Sequence, residues 1–289
     1  MQNSQIVVSK EYMETQKRRL DIAREDNRGK SGSCTAWSIN EHYLYIQMPY
    51  GWLILNAHDP TMISNIHENL FELTLLAPFA QGMVIDVGAN VGTHSLAFAG
   101  TAKRVYAIEP HPQTYLHLCA NILLNQAWNI EPINCAVGDE DGPQIISDID
   151  ATKPATPMGA RVGAGTTPIR MARLDSLNLN ADFMKIDVEG YELEVLKGAR
   201  HTLMRCDLAV YIEIHHHELV QEINDHMQGL GYQNTPILEN RYYDNTTLLT
   251  EGYMYWKGER IKWVTADEPP KVPAGSIELR TWDEEGEVD

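Results

Sequence analysis

One run narrows the fold more than any other: Val84-Ile-Asp-Val-Gly-Ala-Asn-Val-Gly92, a short apolar stretch that passes through a glycine turn into a segment of helical character. A buried strand leading through glycines into a helix is where open α/β sheets bind nucleotide-like ligands. Around this run the chain alternates apolar strand candidates, at 83–87, 104–108, 130–137, 183–186 and 208–215, with helical stretches at 91–99, 112–124, 191–199 and 217–230. Such alternation is the signature of βαβ units and a mostly parallel sheet. The expected fold class is therefore α/β, a doubly wound, mostly parallel, Rossmann-like sheet.

Upstream, Tyr43-Leu-Tyr-Ile-Gln-Met and Trp52-Leu-Ile-Leu-Asn flank Pro49-Tyr-Gly, which predicts an N-terminal β-hairpin. Asp59-Pro60 then reads as a helix start, with Ile63, Ile66, Leu70 and Leu73 at helical spacing. Four parts are expected: a polar arm over 1–36, a hairpin-plus-helix pre-domain over 37–80, a main domain over 81–264, and an acidic tail over 265–289. Residues 150–168, rich in Ala, Thr, Pro and Gly, predict a long loop, either a lid over a bound substrate or ordinary surface disorder. The 23 Lys and Arg against 40 Asp and Glu give a net charge of −17, a field that disfavours nucleic acid as a partner. No run has the length and apolarity of a membrane span, and the start lacks the apolar core of a secretory signal, so a cytoplasmic protein is expected. Four singly placed cysteines fit reduced thiols.

The glycine turn departs from a dinucleotide fingerprint. Gly88 and Gly92 are present, but Asn90 stands where the middle glycine would be, and Asp86 lies just ahead of the turn. A carboxylate there repels pyrophosphate and suits a ligand carrying an ammonium and a sulfonium. S-adenosylmethionine is such a ligand. Glu109, at the end of the next strand, is placed to accept both ribose hydroxyls, and Ala136, at the exit of the third strand, to lie beside adenine.

These residues carry a resemblance. Val84–Gly92, Ile108-Glu-Pro110, Ala136-Val-Gly-Asp139, Leu174-Asp-Ser-Leu177, Met184-Lys-Ile-Asp-Val-Glu-Gly-Tyr-Glu192 and Leu196-Lys-Gly-Ala199 resemble FkbM-type methyltransferases. The resemblance covers about Trp52 to Tyr232. It implies a class I methyltransferase domain and transfer of methyl from S-adenosylmethionine to a hydroxyl of a sugar, glycan, polyketide or other secondary metabolite. Asp187 and Glu189 belong to the family's motif, with Asp187 touching donor or acceptor.

Strand periodicity places Lys185 and Asp187 on one face of the fourth strand, and Glu213 and His215 on one face of the fifth. His215 is the first choice as general base, because imidazole titrates near neutrality, and Glu213 would orient or replace it. Glu189 positions a nearby group or caps the helix that follows. His215, His216 and His217 point in alternating directions and cannot converge on one ion, so no metal is expected. A macromolecular acceptor, protein or RNA, and a non-catalytic donor-binding scaffold are the competing readings, and a homo-oligomer is compatible with all of them.

Overall fold

The computed structural model describes residues 35–38, 43–48, 50–56, 73, 76, 79–149, 160–242, 248–258, 262–264 and 278–280. Strands β1 (Thr35–Ser38), β2 (Tyr43–Met48) and β3 (Gly51–Asn56) form an antiparallel sheet, so the expected hairpin gains a third strand at its edge. The expected arm and most of the helix after Asp59 lie outside the described residues.

The central sheet has seven strands. They are β4 (Gly82–Val87), β5 (Ala102–Ile108), β6 (Ile130–Ile133), β10 (Phe183–Ile186), β11 (Ala209–Ile214), β12 (Gln233–Tyr242) and β13 (Leu248–Trp256). Between β6 and β10 the chain adds β7 (Ala136–Val137), β8 (Gly142–Ile146) and β9 (Thr167–Ala172), which form a small separate sheet. The central order is β12-β13-β11-β10-β4-β5-β6, with β4, β5, β6, β10 and β11 parallel and β13 antiparallel to both its neighbours. The order reverses between β4 and β10. Such a switch point opens a crevice at the strands' carboxyl ends.

Helices α1 (Thr93–Ala99) and α2 (Pro112–Leu124) follow β4 and β5. Beyond the small sheet come α3 (Leu174–Leu177), α4 (Glu192–Gly198), α5 (Arg200–Arg205) and α6 (Val220–Gly229). Alternate side chains of each parallel strand feed opposite cores. Val84, Val105, Phe183 and Tyr211 pack with α1, α2 and the N-terminal sheet, whereas Ile85, Met184, Val210 and Ile212 pack with α4, α5 and α6. This is the doubly wound arrangement expected of period-2 strands buried on both faces. Among the described residues no helix is long and apolar enough to cross a membrane.

Four expectations change. The strand expected over 130–137 breaks at Asn134, whose Nδ2 donates to the carbonyls of Glu109 (2.8 Å) and Pro110 (3.1 Å), so the chain leaves the sheet and Ala136 pairs with Met171 of β9. The loop expected over 150–168 is in part ordered ribbon: Thr167 and Pro168 belong to β9, and Val162 bridges Ile146, while 150–159 lie outside the described residues. A β12–β13 hairpin extends the sheet beyond the expected strands. Its second strand ends in the all-apolar run Tyr253–Trp256, which carries no alternation, because one side packs on each core. Within the acidic tail, β15 (Glu278–Arg280) pairs in parallel with β14 (Lys262–Val264).

Asn121 of α2 and Asn125, which caps that helix at its C-terminus, fasten the N-terminal sheet to the main one. Asn121 Oδ1 accepts from Ile54 N at 2.7 Å, and Asn125 accepts from and donates to Trp52 at 2.6 Å each, so two carboxamides replace a neighbouring strand along β3. Asn121 Nδ2 also donates to Val91 O at 2.8 Å, tying this joint to the glycine turn.

Helix α4 approaches the small sheet so closely that a Cβ on Gly198 would overlap the Gly138 carbonyl oxygen. Alanine ordinarily stabilises a helix by about 1 kcal/mol over glycine. Here backbone overlap outweighs that gain, and Gly198→Ala is expected to lower unfolding free energy by about 2 kcal/mol in urea melts. Gly229→Ala, on α6 with open space around it, is expected to be neutral or stabilising in the same assay.

Candidate active site

The turn after β4 is shaped by left-handed residues, with φ of 83° at Gly88, 52° at Asn90 and 96° at Gly92. Gly88 is required twice over, because a side chain there would also strike the Asp187 backbone carbonyl at the end of β10. The turn is pinned to β5 by Gly88 N and Ala89 N, which donate to Ile108 O at 3.0 and 2.9 Å. Asp86 is fully buried. Its Oδ2 accepts from Ser95 Oγ at 2.6 Å, while among the described residues neither its Oδ1 nor the buried Asn90 Oδ1 has a hydrogen-bond partner. Orphaned buried oxygens are costly unless a ligand satisfies them, and a carboxylate favours a cationic donor group. The turn thus fits a ligand bearing an ammonium and a sulfonium.

Glu109 sits where the ribose clamp is expected, and its two oxygens accept from backbone N–H groups, Oε2 from Asn90 at 3.0 Å and Oε1 from His111 at 2.8 Å. Each carboxylate oxygen retains a second lone pair for a hydroxyl. Burial raises the Glu109 carboxyl to about 7, against the lowering effect of those two bonds. Ala136 is buried in β7 with Val137.

At the ends of β10 and β11 the acid and base residues converge. Asp187 Oδ2 accepts from Lys185 Nζ at 2.8 Å, and Asp187 Oδ1 lies 2.9 Å from His215 Nε2. The other ring nitrogen, Nδ1, lies 3.6 Å from Glu189 Oε2. Burial by itself would raise the Asp187 carboxyl, but the Lys185 ammonium and His215 outweigh it and hold it well below the usual carboxylate range. Burial would lower the His215 imidazole, yet its bond to Asp187 and the charges of Asp187, Glu189 and Glu213 raise it to about 10. At neutral pH His215 is therefore an imidazolium. Glu189 goes the other way: burial pushes its carboxyl up to about 7, only partly offset by His215. Glu213 is buried beside this set and reaches His215 through its charge.

Glu189 does not cap α4. That helix has no side-chain cap bond, and the residue stands at φ 55° with its carboxylate toward His215. The turn ahead of the helix is held instead by the buried Glu192, unassigned from the sequence, whose Oε1 accepts from Gly190 N at 2.8 Å. The signal was present, since Glu192 opens the helix after a glycine. His216 packs its ring over Gly190 and His217 opens a short 3-10 turn, so only the first of the three histidines joins the set. Asp187, Glu189 and His215 offer ligand atoms within 4.8 Å of one another, a spacing open to a divalent cation. However, Lys185 and His215 already engage both Asp187 oxygens and supply the positive charge an ion would bring.

Residues 86–233, half of the chain, match the model of the methyltransferase FkbM domain family. The chain belongs to the FkbM methyltransferase family. S-adenosylmethionine is accordingly its cofactor. The FkbM chain is 27% identical over 154 residues to the hexuronic acid methyltransferase AglP of Haloferax volcanii, an alignment that covers 51% of this chain. It spans 62% of that relative's length. Among solved structures it is similar to methyltransferase FkbM from Methylobacillus flagellatus KT, with 19% identity, a TM-score of 0.45, and coverage of 67% of this chain and 54% of that one. A precorrin-6y C5,15-methyltransferase from Geobacter metallireducens GS-15 is also similar, at 13% identity and a TM-score of 0.43, covering 65% and 88% respectively.

Because the ionised Glu109 is the better hydroxyl acceptor and its carboxyl titrates at about 7, donor affinity should rise as pH climbs through neutrality. If only the ionised form binds ribose, the change from pH 6 to pH 8 is about tenfold. Calorimetric titration of S-adenosylmethionine checks this, and Glu109→Gln should weaken binding and flatten its pH dependence.

Proposed function

We propose that this protein transfers the methyl group of S-adenosylmethionine to a hydroxyl oxygen of a sugar, glycan or related secondary metabolite. The observation that carries this reading is the closeness of the two halves of the site: Gly88 of the cofactor turn abuts the backbone of Asp187, whose side chain holds His215. A hydroxyl brought to the crevice would meet donor and acid-base groups together. The printed name of the Haloferax relative, a hexuronic acid methyltransferase, supports a sugar acceptor.

When bound, S-adenosylmethionine would supply a methyl on a cationic sulfonium that departs as a neutral thioether, the O–C bond forming as the C–S bond breaks with its pair on sulfur, so the protein's part is to align the acceptor hydroxyl and take its proton. In-line alignment provides most of the acceleration. For the proton we assign Glu189, since a base works best with a pKa near the working pH and its carboxyl stands at about 7. His215, protonated between Asp187 and Glu189, acts as the positioning residue and stabilises the carboxylate until it takes the proton. Lys185 orients Asp187 through its Oδ2. Glu213 adds the negative charge that keeps His215 protonated. A cytoplasmic location remains part of the reading, supported by the free thiols of Cys119, Cys135 and Cys206.

The expected outcome with labelled donor and hydroxylated sugar acceptors is methyl transfer whose kcat, at saturating donor, falls as pH drops below about 7 and Glu189 takes a proton. Glu189→Gln should reduce kcat by about 10²- to 10⁴-fold and remove that acidic limb. Label appearing only in protein or RNA would displace the sugar reading.

A further inference from the structure

Between the end of β10 and the start of α4 the chain makes a turn that carries Glu189. Glu189 stands at φ 55° and Gly190 at φ 96°. Glycine adopts a left-handed backbone freely, whereas in a glutamate the Cβ crowds the following carbonyl. Such strain persists only where neighbouring contacts over-determine it, and it concentrates at functional sites.

Three contacts fix this turn. At its entrance Asp187 N donates to Val87 O of β4 at 3.0 Å. Above it lies the His216 ring, which a Cβ on Gly190 would overlap. At its exit Gly190 N donates to Glu192 Oε1 at 2.8 Å. Held in this way, Glu189 places Oε2 3.6 Å from His215 Nδ1. A relaxed backbone with negative φ at Glu189 would swing that side chain off the imidazole.

Glu192 is an expensive way to hold a turn. It is fully buried, and among the described residues its Oε2 has no hydrogen-bond partner. Burial raises its carboxyl above the usual range. An acid in the first turn of a helix gains from the macrodipole while it stays in water, so capping alone does not call for this desolvation. The turn's second task does, because the peptide that Glu192 grips adjoins Glu189. The charges that bear on Glu189 are His215 beyond β11, Asp187 beyond β10, Glu192 of α4 and Arg161 ahead of β9.

We propose that Glu192 is the positioning residue of Glu189: its hydrogen bond to the Gly190 amide locks the left-handed turn and keeps the Glu189 carboxylate against His215 and out of water. The kinetic consequence rests on the reading of Glu189 as proton acceptor given above.

The test compares Glu192→Gln, which keeps an oxygen for Gly190 N, with Glu192→Leu, which does not. Both remove the carboxylate, so the difference between them reads the hydrogen bond and not the charge. The first readout needs no turnover. The Glu189 carboxyl is titrated by carbon-13 NMR on protein saturated with S-adenosylhomocysteine, its signal identified by its loss in Glu189→Gln. Glu192→Leu is expected to titrate about one pH unit or more below Glu192→Gln, as the carboxylate turns out to water. The same titration in both variants overturns the proposal. The second readout is a double-mutant cycle on kcat with labelled donor at saturation and a hexose methyl glycoside. Glu192→Leu alone should cost about 10- to 100-fold, the scale of a small misplacement of reacting groups. In the Glu189→Gln background it should cost about 2-fold or less, and losses that multiply independently overturn the proposal. If Glu192→Leu does not fold, Glu192→Asp, one methylene shorter but still charged, is compared with the parent protein in both readouts. The parent reading fails separately, when Glu189→Gln leaves kcat unchanged or the glycoside accepts no methyl, and the carboxyl titration decides the role of Glu192 in either case.

Discussion

A carboxylate between two cations organises this molecule. Asp187, at the switch point of the sheet, is gripped on one oxygen by the buried Lys185 ammonium and on the other by His215. Burying three charges is costly, and breaking such a set by removing one member leaves an uncompensated ion worth about 3–5 kcal/mol. The cost is carried where it matters, because the same residue's backbone is what Gly88 packs against. The glycine turn and the acid-base set are therefore neighbours through backbone contact.

Four carboxylates around the crevice illustrate how surroundings divide the labour among groups of one type. Asp86 is half satisfied by Ser95, with an oxygen left for a cation. Glu109 is poised near neutrality by burial while it organises two backbone amides. Asp187 is held ionised by its cations. Glu189, next to an imidazolium yet largely desolvated, titrates near 7. Chemical identity in the sequence does not distinguish them; distance to Lys185, Ser95 and His215 does.

Much of this was legible beforehand. The glycine turn, Asp86, Glu109, Asp187, Glu189 and His215 stand at strand ends that period-2 reading located to within a residue or two, since buried parallel strands are continuous apolar runs. Less legible were features that depend on partners far along the chain. Nothing local marks Asn121 and Asn125, yet they serve as the edge partner of β3, 67 to 73 residues away. The break at Asn134 depends on two carbonyls of another strand's exit. The β12–β13 hairpin was obscured by its own burial, which erased the polar-apolar alternation that marks a half-exposed strand.

What the sequence by itself determined is the α/β class, the position of the glycine turn and the list of acids and bases at the crevice, because these follow from local spacing and side-chain chemistry. What only the tertiary structure decided is the protonation logic and the neighbours. His215 as first-choice base became His215 as imidazolium because Asp187 and Glu189, 28 and 26 positions away in sequence, stand on either side of its ring. Proton affinity is set by charge and burial within a few ångströms, and only folding brings those groups to that distance.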